Sequence, residues 1–182
     1  SEESQANMLT AMKNVDTLLR PTTNLINFSK ANVYSSSLRI SEHELNTYME
    51  GICHAFYSYA EAKQIKLDYK SNFEYQNVWF DKEKMDSITK NLISNAIKYT
   101  PAHGEVHIII CHDKDNWSLE ITDTGIGIPA KEQKKLFKLH FRGSNAINAK
   151  ITGSGIGLML VWKLVRIHKG KISIESVENK GT

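Results

Sequence analysis

Half of the ten glycines in this 182-residue chain fall into two alternating clusters. Gly125-Ile126-Gly127 follows a β-type run, and Gly153-Ser154-Gly155-Ile156-Gly157 leads into a helical pattern. Alternating glycines let the backbone turn tightly and let a ligand approach the main chain. At a helix start they also turn N–H groups and the positive end of the helix dipole toward an anion. Neither cluster is a dinucleotide fingerprint, because G-x-G-x-x-G requires glycine where Leu158 stands and no strand precedes it; no Walker A motif occurs either. Taken singly, each cluster also reads as an ordinary turn or glycine-rich loop.

Between the clusters lies a strongly basic segment. Lys131 to Lys150 carries six basic side chains and one acidic one, a local +5 in a chain of net charge +3, so the remainder is at −2. A total of +3 is too weak to mark a nucleic-acid binder. Leu136, Phe137, Phe141 and Arg142 followed by the small polar run Ser144 to Ala149 suit a mobile flap with an aromatic anchor, although a solvated charged face is the plainer reading. With 41% hydrophobic and 24% charged residues the chain is globular rather than disordered or fibrous. No apolar run approaches the roughly 20 residues that cross a bilayer. Cys53 and Cys111 form no disulfide framework, which favours a reducing compartment.

Patterning predicts an α+β fold. Ser41 with Glu44 three residues on predicts a helix over 42–63, followed by short strands over 65–69 and 78–80. Asp81 caps a second helix that runs to Tyr99 and stops before Pro101. Strands over 106–111 and 117–121 form a hairpin, a third helix spans 155–170, and a last strand covers 171–177. The expected architecture is a two-layer sandwich, a mixed sheet covered by helices on one face. It is preceded by a long N-terminal helix in which Met8, Leu9, Met12, Val15, Leu18, Leu19, Leu25, Ile26 and Phe28 recur at helical spacing, kinked at Pro21 and ended by a serine loop at 35–37.

The helix ending at Tyr99 has an unusual polar face. Asn91, Asn95 and Lys98 stand at i, i+4 and i+7, opposite Met85, Leu92, Ile93, Ala96 and Ile97. Asparagine is a mediocre helix former, so two of them one turn apart have no local reason to be there, beyond a solvated face. Amide oxygens suit a hard cation such as Mg²⁺, and lysine offers a point charge to phosphate. Asp123, at a strand end beside the first glycine pair, can accept a hydrogen bond from an exocyclic amine.

In this order the elements resemble the catalytic domain of bacterial sensor histidine kinases. Asn91 to Thr100 is similar to the N box and Asp123 to Pro129 to the G1 box. Lys135-Leu136-Phe137 through Phe141-Arg142 is similar to the F box, and Gly153 to Leu158 to the G2 box. Asn179-Lys180-Gly181-Thr182 resembles the closing G-x-G-T motif, with asparagine in place of the first glycine. The resemblance implies a Bergerat-type fold that binds ATP and Mg²⁺ under a flexible lid. It implies Asn95 as direct Mg²⁺ ligand supported by Asn91, Lys98 and Arg142 at the phosphates, and Tyr99 lining the nucleotide. Asp123 would read the adenine amino group above a turn made by Gly125, Gly127 and Ile128. Gly153, Ser154, Gly155, Gly157 and Leu158 would cradle the phosphates, with Phe137 and Phe141 holding the lid to the body.

Related ATPases on this fold carry glutamate where Asn91 stands. Asparagine cannot take a proton from water at neutral pH, which points to transfer onto an external histidine rather than hydrolysis. His43 lies too close to Asn91 to be that acceptor and lacks the family's continuation. His103, His107 and His112 read as surface residues. Residues 1–37 are therefore expected to be the second helix of a dimerisation and phosphotransfer hairpin with its linker, and 38–182 the ATP-binding domain. The acceptor histidine would lie upstream, in a homodimeric, membrane-anchored parent whose cytoplasmic portion serves a response regulator; this segment itself would touch neither nucleic acid nor membrane. The alternatives are an ATPase or serine kinase on the same fold, or a non-enzymatic nucleotide-sensing module.

Overall fold

The computed structural model describes residues 37–114 and 116–182. The expected N-terminal helix, its kink at Pro21 and most of the serine loop lie outside the described residues. In chain order the elements are β1 (Ser41–Glu44), α1 (Leu45–Ala62), β2 (Lys66–Ser71), β3 (Asn77–Phe80) and α2 (Lys82–Tyr99). They continue as β4 (Glu105–Asp113), β5 (Asn116–Asp123), α3 (Ala130–Gln133), α4 (Ser144–Asn148) and α5 (Gly157–Ile167).

The main sheet has the order β2-β4-β5. β4 and β5 form the expected antiparallel hairpin, with Ile108 opposite Ile121, and β2 lies parallel to β4, with Leu67 opposite Val106. A parallel pair needs a long crossover, and β3 with α2 supplies it. Along β4 the alternation is strict. Val106, Ile108 and Ile110 are fully buried against the helices, while Glu105, His107 and Ile109 on the other face are half-buried. The helical layer meets them with Leu45, Met49, Ile52 and Cys53 of α1, Met85, Ile88, Ile93 and Ile97 of α2, and Leu160, Val161 and Leu164 of α5. This is the expected layering of a mixed sheet under helices, joined by a two-stranded ribbon in which Ser41 pairs with Phe80.

Three boundaries differ from expectation. The first helix begins at Leu45 rather than Glu42, because Ser41–Glu44 is extended against Asn77–Phe80. Glu44, not Ser41, is its N-cap; the carboxylate accepts the N–H groups of Asn46 (3.1 Å) and Thr47 (2.6 Å), and that of Gln76 (3.1 Å). The stretch over 171–177 keeps the burial alternation of a strand, yet its one bridge among the described residues joins Val177 to Gly181. Third, the polar run from Ser144 forms the short helix α4 within the lid.

Candidate functional site

The polar face of α2 meets the start of α5. Asn91 donates through Nδ2 to the Ser87 carbonyl (2.7 Å), which leaves its Oδ1 pointing at Gly157, the first residue of α5. A Cβ on Gly157 would stand 2.7 Å from that oxygen and 4.0 Å from Asn95 Nδ2, so only glycine allows the two helices this approach. One turn further on, a Cβ on Gly153 would lie 2.6 Å from Lys98 Nζ. The Lys98 ammonium also sits 4.9 Å from the centroid of the Tyr99 ring. Two amide groups and an ammonium thus face glycine backbone at the positive end of an 11-residue helix. Among the described residues no donor meets Asn91 Oδ1, and an amide oxygen suits a hard cation.

The other end of the candidate site is built on Asp123. Burial raises the pKa of its carboxyl, partly offset by the N–H groups of Gly125 and Thr182. Its Oδ1 accepts the Gly125 N–H at 2.8 Å, and a Cβ on Gly125 would be 2.6 Å from both that oxygen and the Tyr99 carbonyl. Ile126 N–H donates to the same Tyr99 carbonyl (3.1 Å), pinning the turn to the end of α2. Gly127, at φ +59, lies against the Val177 carbonyl, and Gly181, at φ +118, lies against that of Asp123. Asp123 and Thr182 exchange two backbone hydrogen bonds (2.8 and 3.2 Å), and Asn179 N–H reaches Ile126 O (2.8 Å). The closing motif is therefore sewn to the first glycine turn. Asn179 itself has φ +61. Asparagine is among the few side chains that enter this left-handed region readily, which explains how it replaces a glycine.

The lid leaves the body at Pro129. Leu136 and Ala146 are its buried side chains, whereas the expected anchors Phe137 and Phe141 are half-buried. Gln133 ties it to the Ile128 and Ser176 carbonyls (3.1 and 2.7 Å), and Asn145 to those of Gly127 (2.8 Å) and Ile126 (3.3 Å). Both are uncharged amides in an otherwise basic stretch, and neither stood out in the sequence. At the far end Gly155, φ +70, packs against the backbone of His140 and Phe141, and Ser154 Oγ accepts the Ile156 N–H (3.4 Å). Leu158 is half-buried in the first turn of α5. Arg142 donates from one guanidinium nitrogen to the Ile151 carbonyl, while its buried Nε has no acceptor among the described residues. Its charge also bears on Tyr99, whose hydroxyl pKa burial raises and Arg142 lowers in part. A buried cationic donor lacking a partner fits an anion.

The family profile of the histidine kinase-, DNA gyrase B-, and HSP90-like ATPases matches residues 80–182. The circadian input-output histidine kinase CikA of Synechocystis sp. (strain ATCC 27184 / PCC 6803 / Kazusa) is 29% identical over 182 residues, 99% of this chain and 24% of that protein. The adaptive-response sensory kinase SasA of Synechococcus sp. (strain JA-3-3Ab) is 30% identical over 161 residues, 88% of this chain and 42% of its own length. The chain thus spans less than half of either relative. Among solved structures, full-length ShkA in complex with AMPPNP superposes with a TM-score of 0.81 at 19% identity, over 98% of this chain and 37% of that one, a likeness of fold. The chain belongs to the histidine kinase-, DNA gyrase B- and HSP90-like ATPase family, and these curated relatives are histidine kinases.

Proposed function

We propose that this chain binds Mg·ATP between α2, the two glycine turns and the lid, and passes the γ-phosphoryl group to a histidine on a dimerisation hairpin. The observation that supports this reading best is the seam between α2 and α5, where Asn91 faces Gly157 and Lys98 faces Gly153. Asn95 is assigned as the direct Mg²⁺ ligand, with Asn91 acting through water or phosphate. Held there, Mg²⁺ would neutralise part of the phosphate charge. Lys98 and the unpartnered Nε of Arg142 meet phosphate oxygens, and the main chain of Gly153, Ser154, Gly155, Gly157 and Leu158 holds the phosphates at the positive end of α5. Asp123 accepts the adenine amino group, above Gly125, Gly127 and Ile128 and beside Tyr99.

In the transfer, an imidazole nitrogen forms a bond to the γ-phosphorus as the bond to the β–γ bridging oxygen breaks and ADP leaves with that electron pair. Positioning and charge stabilisation account for the catalysis. The Asn91 amide accepts no proton at neutral pH, so water is not activated in place of the histidine. The partners are a hairpin of the same or the second protomer in a homodimer, and a response regulator that takes the phosphoryl group onward.

The test supplies the chain with the parent's hairpin, Mg²⁺ and ATP labelled at the γ-phosphate. Acid-labile phosphohistidine is expected, and the paired change Asn95→Ala, Asp123→Ala should abolish nucleotide binding. Intact binding in that variant, or steady hydrolysis with no acceptor present, would overturn the reading.

A further inference from the structure

An α-helix leaves its last four carbonyls without helical partners. In α2 three of the last carbonyls, on Ile97, Lys98 and Tyr99, have found partners elsewhere. The Ala96 carbonyl keeps its i→i−4 bond from the Thr100 N–H (3.1 Å) and also accepts the Thr100 hydroxyl (2.7 Å), and the Tyr99 carbonyl accepts the Ile126 N–H (3.1 Å). The two between them, on Ile97 and Lys98, both accept from one residue, Lys63 Nζ, at 2.7 and 3.3 Å. Lys63 is the C-cap of α1, and the chain turns sharply after it, with Gln64 at φ +57. The Gln64 carbonyl accepts His103 N–H (2.8 Å), so the ends of α1 and α2 are bound together at two levels.

We infer that Lys63 is a positioning residue for the nucleotide site. It acts through the last turn of α2, whose carbonyls it holds. That turn carries Lys98, whose ammonium reaches Gly153, and the Tyr99 carbonyl, which holds Ile126 and crowds Gly125. One ammonium therefore sets the register of both glycine turns against the polar face of α2. A cation is well suited to this place, because the carbonyl end of a helix is its negative pole. Burial lowers the pKa of Lys63, in keeping with an ammonium drawn out of solvent onto these two acceptors. The inference rests on the proposed nucleotide site and names what keeps that site in register.

The test uses the whole chain with Lys63→Met, Lys63→Gln and Lys63→Arg, titrated with Mg²⁺ and a non-hydrolysable ATP analogue. Amide exchange is read at Ile126 and, for comparison, at Ile108. Lys63→Met should weaken binding about tenfold, the scale of one charge-assisted hydrogen bond. It should also speed exchange at Ile126 by a similar factor while leaving Ile108 protected. Lys63→Arg should restore most of both, and Lys66→Met, at an exposed position of β2, should change neither. If Lys63→Met fails to fold, Lys63→Gln carries the same comparison with a shorter, uncharged donor. Native affinity with native Ile126 protection overturns the inference, as does a lowered melting temperature with unchanged affinity. If the native chain binds no nucleotide, the proposed function fails, and the exchange at Ile126 still decides whether Lys63 sets the turn.

Discussion

Asp123 shows how much one side chain can be asked to do. Its backbone closes the sheet end onto Thr182, and its carboxylate orders Gly125 before any ligand arrives. Burial raises its pKa above the ordinary 3.8. For an acid this means the ionised form costs folding energy above the folded pKa, and that cost vanishes as the pH falls below 3.8. Ligand reading has the opposite sign, since only the carboxylate accepts from both Gly125 and an exocyclic amine. Affinity for an adenine nucleotide should therefore fall on acidification with a midpoint above 3.8, and Asp123→Asn should flatten that limb; calorimetry across pH 3 to 7 reads both, and a native midpoint at or below 3.8 rejects the argument. The residue types of the proposed site stand out as a pattern in the sequence, because cation ligation, phosphate contact and base reading would each need particular chemistry at fixed spacing. Gln133, Asn145 and Lys63 do not. Each acts through a partner 34 or more residues away or across a loop, and nothing in its local sequence announces that partner.

At the scale of elements, the start of α1 is where local and tertiary preferences diverge. Ser41 with Glu44 has the pattern of a capping box, but β1 takes Ser41 into a ribbon with Phe80 and passes the cap to Glu44. Partial burial raises the Glu44 pKa, but hydrogen bonds from Thr47, Gln76 and Asn46 outweigh it and hold the carboxyl at about 2. A depressed acid stabilises the fold above its unfolded value of 4.5 and loses that contribution as the pH falls toward 2. Glu44→Ala should cost about 1 kcal/mol at neutral pH, as for a lost helix cap. The gap from the native chain should close between pH 4.5 and about 2, as read by urea denaturation; a gap that stays constant across this window would exclude the carboxylate as its source. The stretch over 171–177 errs in the other direction. Its alternation is that of a strand, but a strand also needs a neighbour to pair with, and periodicity does not report one.

Across the whole molecule the uneven charge of the sequence acquires a location. The +5 segment is the lid, held at its two ends by amides on the first glycine turn and by Arg142 on Ile151. Its exposed lysines and its half-buried guanidinium, whose Nε is buried, are unequal in effect, because solvent and salt screen the former. Arg142→Ala should therefore lower nucleotide turnover more than Lys131→Ala or Lys134→Ala, and the lysine variants should lose their small effects at high salt. Equal losses across the three would make the lid a diffuse positive field. The succession α1, β2, β3, α2, β4, β5 and α5, the helix face of Asn91, Asn95 and Lys98, and both glycine turns follow from sequence alone, because periodicity, capping and glycine's freedom are local properties of the chain. Only the tertiary structure decided that Asn91 would face Gly157, that Asn179 would sit at a left-handed φ against the first turn, and that Lys63 would close the end of α2. Those are contacts between segments far apart in sequence, and packing, which no local pattern encodes, selects them.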